Sequence, residues 1–338
     1  MNDIDKLQAK LPYQLIRTGI PGVYTSPAPP DDFDPMTATR TDLVKHGFLW
    51  RRPGAAEEPT VRRAWERFFS RKWLAKDRIV PQFEPHPGKT HILKAAAKKA
   101  AAGPSYTSNA WAGAVFVVGQ WSGNYGTWTI PTVSKPSEPQ GTEGGWNSSS
   151  WVGIDGFNVE GVVASNDVLQ AGIEQRVNAK GQATYSAWYE WYAPAQAGSP
   201  PYIYEVGIPN FPVSPGQQVS CSVQYVDNNT AGYIWFANET TRQYFSITLA
   251  PPPGATFKGN TAEWIMEAPD GGEPTSSIPA FKPVVFTPAV ACGAANAQGN
   301  HPAGNPQNAD AVNIGTAAGK ILTSVTLGND TVTIDFIG

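Results

Sequence analysis

The order of apolar and polar residues divides the chain into a loop-rich, partly helical part and a long part made of strands. Within residues 60–69 the apolar side chains recur at i, i+3, i+4, i+7 and i+8, the spacing of one face of an amphipathic helix. We therefore predict a helix that runs to about Lys76. The Ala- and Lys-rich stretch 90–102 predicts a second helix, with Thr90 as its N-cap and Gly103-Pro104 as its end.

Prolines punctuate residues 1–58, which predicts mostly loop there. After Pro104, thirteen short segments rich in β-branched and aromatic residues follow one another between Ala112 and Ile337, separated by Gly, Pro, Asn and Ser. No periodic segment of helix length lies among them, so the pattern predicts an antiparallel sandwich or barrel rather than parallel βαβ units. Residues 293–310 have the composition of a flexible surface loop.

The length of 338 residues exceeds one typical domain and suffices for a large core. We predict an all-β domain over residues 105–338, preceded by a smaller, partly helical extension over residues 1–104. No run of about 20 apolar residues is present, so we expect no membrane span. The first six residues lack a basic cap followed by an apolar segment, so no signal peptide is recognisable. We expect a monomer.

Charge is distributed unevenly between the two predicted parts. Residues 1–110 hold 18 of the 25 Lys and Arg but 11 of the 28 Asp and Glu, a net charge of +7, whereas the remaining 228 residues carry −10. Such asymmetry is typical of a nucleic-acid-binding arm or of two parts that attract each other, and a solvated basic helix beside an acidic domain is the simpler alternative. The basic residues lie among acids and prolines without a nucleic-acid-binding motif, which argues against nucleic acid as a partner.

Most familiar hydrolytic designs are missing from the sequence. It has no zinc-binding HExxH, no paired CxxC, no GxSxG elbow, no phosphate-binding glycine loop and no Asp-Thr-Gly pair. Cys221 and Cys292 allow at most one disulfide, and whether they pair stays open. The four histidines are scattered, at His46, His86, His91 and His301. If the β domain does chemistry, carboxylates and amides must do it, and we expect neither metal nor cofactor.

Strand alternation indicates which polar side chains share a face. In the segment 168–174, Gln170 and Glu174 point one way, and in the segment 261–267, Glu263 and Glu267 do so. The segment 185–192 carries rings on both faces, which favours the wall of a groove. An ordinary polar outer face is the alternative for each.

Five segments resemble, in order, the signature blocks of the eqolisin family of glutamic peptidases. The resemblance covers about residues 109–338 and implies a concanavalin-like β-sandwich of two bent antiparallel sheets, with an active site on a concave face that cleaves polypeptides at acid pH. The segments are Trp111-Ala112-Gly113-Ala114-Val115, Trp151-Val152-Gly153-Ile154-Asp155-Gly156, Val168-Leu169-Gln170-Ala171-Gly172, Ala187-Trp188-Tyr189-Glu190-Trp191-Tyr192 and Thr261-Ala262-Glu263-Trp264-Ile265-Met266-Glu267.

By this resemblance the family's catalytic glutamine falls on Gln170 and its catalytic glutamate on Glu263. A carboxylate can take a proton from a water and return it to the leaving amine, while a carboxamide can orient the water and donate to the oxyanion. For the residues that would line the substrate groove, a packing role is the alternative. These residues are Trp111, Trp151, Asp155, Glu174, Tyr189 and Glu267.

The basic extension resembles the prosegment of fungal eqolisins, so we expect it to inhibit the enzyme as an intramolecular partner. At neutral pH a lysine near the junction would pair with Glu263 or its acidic neighbours, and acid would release it and make the linker 103–108 cleavable. The candidates are Lys89, Lys94, Lys98 and Lys99. A permanent structural brace and a partner-binding arm are the alternatives.

Two other functions stay open from the sequence alone. A lectin-like module is compatible with a sandwich rich in Trp and Tyr, and a glycosidase could use Glu263 with Glu190 or Glu174. The pair of Gln170 and Glu263 favours proteolysis, because sugar binding has no need of it. The resemblance implies secretion, but without a recognisable signal peptide the compartment stays open.

Overall fold

The computed structural model describes most of the chain, and every structural statement below concerns that part. The described residues are 3–9, 11, 13–93, 96–99, 106–137, 145–159, 167–194, 204–226, 230–269, 278–293 and 301–338.

Three α-helices lie in the extension: α1 (Asp3–Gln8), α2 (Arg40–Lys45) and α3 (Pro59–Phe69). Helix α3 buries the predicted apolar stripe, but it ends at Phe69 rather than near Lys76. Among the described residues, no helix is long and apolar enough to cross a membrane.

The second helix predicted over residues 90–102 is wrong for the residues described there. Residues 90–93 have no regular secondary structure, Ala97 forms a bridge with Val159, and Lys98 and Lys99 form a short strand that pairs with Thr107 and Tyr106. This pairing outweighs the intrinsic helix propensity of the alanines, which is a weak preference.

The described part of the chain is otherwise made of strands. They are β1 (Ile16–Arg17), β2 (Val23–Thr25), β3 (Glu84–Pro85), β4 (Lys98–Lys99), β5 (Tyr106–Ser108), β6 (Trp111–Phe116), β7 (Trp121–Thr129), β8 (Val133–Ser134), β9 (Trp146–Ile154), β10 (Val168–Val177), β11 (Ala183–Tyr192), β12 (Val206–Gly207), β13 (Gln218–Val226), β14 (Ala231–Asn238), β15 (Gln243–Leu249), β16 (Ala262–Glu267), β17 (Ala280–Phe281), β18 (Val284–Gly293), β19 (Ala303–Gly304), β20 (Asp310–Ile314), β21 (Thr323–Leu327) and β22 (Val332–Phe336).

The strands form two large sheets, as the predicted sandwich requires. Sheet 1 has the order β1-β2-β15-β14-β13-β7-β18-β22-β21, with β19 beside β18. Sheet 2 has the order β3-β12-β11-β10-β9-β16-β6-β20-β5-β4, and β8 pairs separately with β17. All described pairings within these sheets are antiparallel except that of β20 with β5. The sequence pattern missed β20, and it missed β19, which lies inside the predicted loop 293–310.

Strand alternation places large apolar side chains between the two sheets. Leu169, Trp264 and Phe236 belong to this core and are fully buried. A second apolar cluster joins the outer face of sheet 1 to the extension, and a third lies on the outer face of sheet 2 around Trp151 and Trp188. Cys221 and Cys292 are both buried and free.

The extension contributes strands to both sheets. β1 and β2 lengthen sheet 1 beside β15, and β3 and β4 lie at the two edges of sheet 2. The basic segment that precedes the sandwich in sequence is therefore hydrogen-bonded to it on both layers.

Gly113 on β6 provides a test of this packing. Its φ is +150°, and a Cβ there would overlap the carbonyl oxygen of Trp264 on the neighbouring strand β16. Because backbone cannot yield as a side-chain tip does, we expect Gly113→Ala to lower the free energy of unfolding by about 1–3 kcal/mol. Chemical denaturation measures this, with Gly54→Ala as the control, since no atom lies within 4 Å of a Cβ at Gly54. Equal stability of the two variants would contradict the packing.

Candidate active site

Gln170 and Glu263 lie on one face of sheet 2, two strands apart. Gln170 on β10 pairs with Gly153 on β9, and Gly153 pairs on its other side with Glu263 on β16. Neighbouring strands are about 4.8 Å apart, so the Cα atoms of Gln170 and Glu263 are separated by about 10 Å. Residues paired in register point to the same side, and both side chains therefore flank the same point on the sheet.

Gly153 lies between the two residues in the register, and the indole ring of Trp151 packs close above it. A Cβ at this position would come within 2.8 Å of Cζ3 of Trp151 and 3.3 Å of Cβ of Gln170. A larger residue here would collide with the ring of Trp151 and crowd Gln170.

Each of the two side chains keeps one buried acceptor without a partner. Gln170 Nε2 donates to the carbonyl oxygen of His91 at 2.8 Å and to Glu190 Oε2 at 2.7 Å. Thr261 Oγ1 donates to Glu263 Oε1 at 3.1 Å. Within the described part of the chain, Gln170 Oε1 and Glu263 Oε2 have no hydrogen-bond partner. An unpartnered buried acceptor is rare in proteins and points to a ligand or solvent molecule.

Burial raises the pKa of Glu263 well above its usual value, and the nearby carboxyl group of Asp155 raises it further. The hydrogen bond from Thr261 acts in the opposite direction. With the face covered as in this structure, burial therefore favours the neutral form of Glu263.

A segment of the extension covers this face of sheet 2, and we call its residues 84–93 the plug. His91, at its centre, is fully buried, and its ring stacks on Trp188 with the centroids 3.7 Å apart. Its Nδ1 lies 2.9 Å from Glu267 Oε2, and its Nε2 lies 2.6 Å from Glu205 Oε2. Because each ring nitrogen faces a carboxylate, both must donate, and His91 is an imidazolium ion.

The pKa of His91 follows from this arrangement. Burial alone lowers it, but Glu267 and Glu205 outweigh burial and raise the pKa to about 10. For Glu205, burial raises the pKa, but His91 and Lys89 outweigh burial and leave it below its usual value.

Lys89 is the second cation of the plug. Its Nζ lies 2.5 Å from Glu174 Oε1 and 2.7 Å from Glu205 Oε2. Of the lysines predicted to reach the groove, Lys89 contacts acidic neighbours of Glu263 rather than Glu263 itself. Lys98 and Lys99 are exposed in β4, and Lys94 lies outside the described residues.

Glu190 is a neutral acid at the middle of this cluster. Its Oε2 accepts from the backbone N–H of His91 at 2.8 Å as well as from Gln170. Burial, together with the charges of Glu267 and Glu205, raises the pKa of Glu190 to about 8, against the opposing effect of His91.

Four of the predicted groove residues lie on this face. Trp111 Nε1 donates to Glu267 Oε1 at 3.1 Å, and Trp151 Nε1 donates to Glu267 Oε2 at 2.8 Å. The two indole rings meet edge to face, with centroids 4.7 Å apart. Glu174 completes the set beside Lys89.

Tyr189 is a wrong prediction. It lies on the opposite face of β11, in the core between the sheets, where its ring contacts Phe83 at a centroid distance of 5.8 Å. Both faces of β11 carry rings, so composition did not indicate which ring faces the groove; the partners of the strand decide it.

Asp155 is near the site, but its contacts are structural. Its backbone has a φ of +71°, and its carboxylate accepts from the hydroxyl of Tyr225 at 2.8 Å and from the N–H groups of Gly259 and Asn260 at 2.9 Å. Burial raises the pKa of Asp155 to about 6, although these donors oppose the effect. Asp155 therefore holds the loop that leads into β16 and Glu263, rather than the groove wall.

Sequence reasoning missed two members of the site, His91 and Glu205, and treated Glu190 only as a glycosidase alternative. The sequence did contain a signal for Glu190, because it follows Trp188 by two positions on a strand rich in aromatic residues and therefore shares its face. His91 had none, since its partner Glu267 lies 176 positions away. Among the described residues, no group of three His, Cys, Asp or Glu side chains could hold a metal ion.

Comparison with known proteins assigns a class to this sandwich and site. The model of the Peptidase A4 family matches residues 109–336. The chain belongs to this family, the eqolisins, and it is a peptidase of the glutamic class. Membership decides against the lectin-like and glycosidase alternatives.

The chain is similar to two curated fungal peptidases. It is 29% identical over 245 residues to aspergillopepsin-2 of Aspergillus niger, covering 69% of this chain and 78% of the relative. It is 28% identical over 181 residues to scytalidopepsin B of Scytalidium lignicola, covering 53% and 60%. A solved structure of scytalido-glutamic peptidase with a transition state analog inhibitor matches with a TM-score of 0.51 and 21% identity, over 68% of this chain and 98% of that chain. The last match supports the fold.

Because both ring nitrogens of His91 contact carboxylates, we expect this residue to titrate far from the usual pH of a histidine. With a pKa of about 10, its imidazole stays protonated from pH 6 to 8.5, because these pH values lie well below the pKa. We therefore expect its NMR signal to remain that of the imidazolium form over this range. His91→Asn assigns the signal, and the half-exposed His301 serves as the internal comparison. A midpoint near the usual value of about 6.5 for His91 would contradict the two-carboxylate geometry.

Proposed function

We propose that this peptidase is an acid-acting endopeptidase in which Glu263 and Gln170 activate a water molecule, and that the plug holds it latent. The observation that carries the proposal is the register of Gln170, Gly153 and Glu263. It sets a residue with an unpartnered carboxamide oxygen and one with an unpartnered carboxyl oxygen on the same face of the sheet, on either side of Gly153.

A water molecule has two hydrogens, and these two acceptors match them. We infer that the water donates to Gln170 Oε1 and to Glu263 Oε2. As the water attacks the carbonyl carbon, Glu263 takes its proton and then delivers that proton to the nitrogen of the departing amine. Glu263 therefore acts first as base and then as acid.

Gln170 has a second role through its Nε2 group, which donates to the developing oxyanion. In this structure Nε2 donates to the backbone carbonyl oxygen of His91. The plug thus presents a peptide carbonyl to the donor that a substrate carbonyl requires, which supports latency by occupation of the site.

The charges on the plug determine how its binding depends on pH. His91, with its raised pKa, stabilises the docked plug fully below its ordinary value of about 6.5 and loses this effect as pH rises through about 10. Glu190 is protonated when the plug is docked. Docking therefore also weakens as pH rises from the ordinary pKa of a glutamic acid toward about 8. Glu205 has a lowered pKa, so its stabilisation is present above the ordinary carboxyl range and is lost as pH falls below it.

Together, the contributions of His91, Glu190 and Glu205 make the plug bind most tightly in mildly acidic solution and dissociate below about pH 4. The remaining charged groups at the plug are Lys89 and His86 on the plug, with Glu84, and Glu174, Glu267 and Arg176 on sheet 2. Release by acid therefore requires protonation of the carboxylates, because His91, with its pKa of about 10, keeps its charge as pH falls.

Replacing either member of the dyad tests the mechanism. We expect Glu263→Gln and Gln170→Ala each to lower the rate of peptide hydrolysis by about 100- to 1000-fold or more, since one loses the base and the other an oxyanion donor. The assay is digestion of an unfolded protein after acid activation, at about pH 4, with pepstatin present to exclude aspartic peptidases.

Exposed residues of the same type supply matched controls for the dyad. Glu66→Gln and Gln307→Ala change the same functional groups at the surface and should leave the rate unchanged. Wild-type activity in both dyad variants would overturn the assignment.

Removing the plug's charges tests latency. We expect Lys89→Met and His91→Asn to be at least about tenfold more active than wild type at pH 5 without prior acid treatment, because each removes a cation that the plug places on buried carboxylates. Initial rates on a fluorogenic peptide mixture measure this, and Lys180→Met on an exposed turn is the control. Activity of the wild type at pH 5 equal to that of both variants would argue against inhibition by the plug.

A further inference from the structure

The outer face of sheet 1 is aromatic, although it lies on the surface of the sandwich. Tyr125, Tyr233, Trp235 and Tyr244 point away from the core between the sheets, and each is at most 3% exposed. They are buried because residues 13–78, which we call the cover, lie on top of them.

The cover packs against these rings with rings of its own. Trp50 stacks on Tyr125 with the centroids 3.5 Å apart. Phe68 lies 5.4 Å from Trp235. Trp73, which follows α3, lies 5.3 Å from Tyr244.

Backbone and polar contacts fix the cover in the same position. β2 pairs with β15 through Tyr24 and Thr248, and the hydroxyl of Tyr233 donates to the carbonyl oxygen of Gly47. Arg67 forms an ion pair of 2.7 Å with Glu239 on the sandwich. The cover therefore completes sheet 1 both at its edge and across its face.

Loss of the cover would expose four adjacent aromatic side chains, each of which buries about 150–250 Å². A contiguous apolar patch of this size exceeds what monomeric soluble proteins usually expose. The family model begins only at residue 109, so the cover lies outside the matched sandwich.

The cover and the plug are held by different forces. The plug is held by His91 and Lys89 on buried carboxylates and by backbone hydrogen bonds to β12 and Glu205. Its apolar contacts are Leu93 and the stacking of His91 on Trp188. The cover is held mainly by apolar contacts, which do not titrate. Ion pairs also cross the cover interface and weaken in acid; those described are Arg63–Asp330, Arg67–Glu239, Arg71–Glu239 and Arg242–Asp77.

We propose that the extension has two fates: the plug is dispensable, whereas the cover stays bound to sheet 1 after cleavage, so that the mature enzyme is a two-chain protein. This builds on the latency proposed above, but retention of the cover is a separate, measurable property. If the cover is retained, the released part of the predicted prosegment, residues 1–104, is limited to the residues that follow the cover.

The connection between cover and plug gives the proposal a further consequence. A single cut in the linker after residue 99 leaves the plug tethered to the bound cover at a high effective concentration, which for short flexible tethers is of order 1 mM. Full release of the plug then requires a second cut. Val80, 59% exposed, lies in the connecting segment 79–83 and is accessible for it.

The test places recognition sequences for a site-specific protease after Val80 and between residues 100 and 105 of the full chain. After digestion, size-exclusion chromatography with light scattering and intact mass analysis, at pH 7 and about pH 3.5, shows which fragments remain together. We expect the cover to co-elute with the sandwich at both pH values, while the plug separates at about pH 3.5. Separation of the cover from the sandwich under these native conditions overturns the proposal.

Variants of the cut protein test the apolar origin of retention. We expect Trp50→Ala to weaken retention of the cover by about 100-fold, the effect of removing a large buried ring, whereas Arg17→Ala on exposed β1 leaves it unchanged. Equal retention in both variants would overturn the apolar account.

The outcome is distinguishable from failure of the proposed function. A cover that co-elutes with an inactive sandwich supports this inference and refutes the dyad or the plug. An active sandwich that has lost the cover does the reverse.

Discussion

The candidate site depends on the register in which β10, β9 and β16 pair. A shift of one residue would turn Gln170 or Glu263 into the core, because side chains alternate between the faces of a strand. Buried neighbours such as Leu169 and Trp264 oppose that shift. Asn124 adds a tie from sheet 1, since its Nδ2 donates to the carbonyl oxygens of Gly153 and Glu263 at 3.0 and 2.7 Å. The sandwich core therefore holds the dyad in position.

The second constraint is the concentration of carboxyl groups on the face that carries the dyad. Burying carboxylates is unfavourable unless cations or donors compensate for the lost solvent. Here Glu205 and Glu267 share the imidazolium of His91, and Glu267 also accepts from two indole N–H groups. Glu190 instead becomes neutral. The face is thus complementary to a cationic, peptide-like segment, which the extension supplies.

The two parts of the extension use different physical chemistry on the two sheets. On sheet 2, contact is made through charges and a peptide carbonyl, so its strength varies with pH. On sheet 1, contact is made mainly through stacked rings such as Trp50 on Tyr125, so its strength depends less on pH. This difference underlies the proposal that cleavage and acid release the plug while the cover remains bound. The net positive charge of the extension, read from the sequence, did not distinguish the cover from the plug.

The sequence by itself determined most of the long strands, the apolar stripe of helix α3 and the face shared by Gln170 with Glu174 and by Glu263 with Glu267, because these follow from periodicities of two and 3.6 residues. It did not determine which face of a strand with rings on both sides lies inside, and so misplaced Tyr189. It predicted a helix over 90–102 because alanines favour a helix, whereas the described residues 97–99 pair with β5 and with Val159. His91 and its carboxylates are brought together by contacts more than a hundred residues apart in the chain, and the tertiary structure alone decides such contacts.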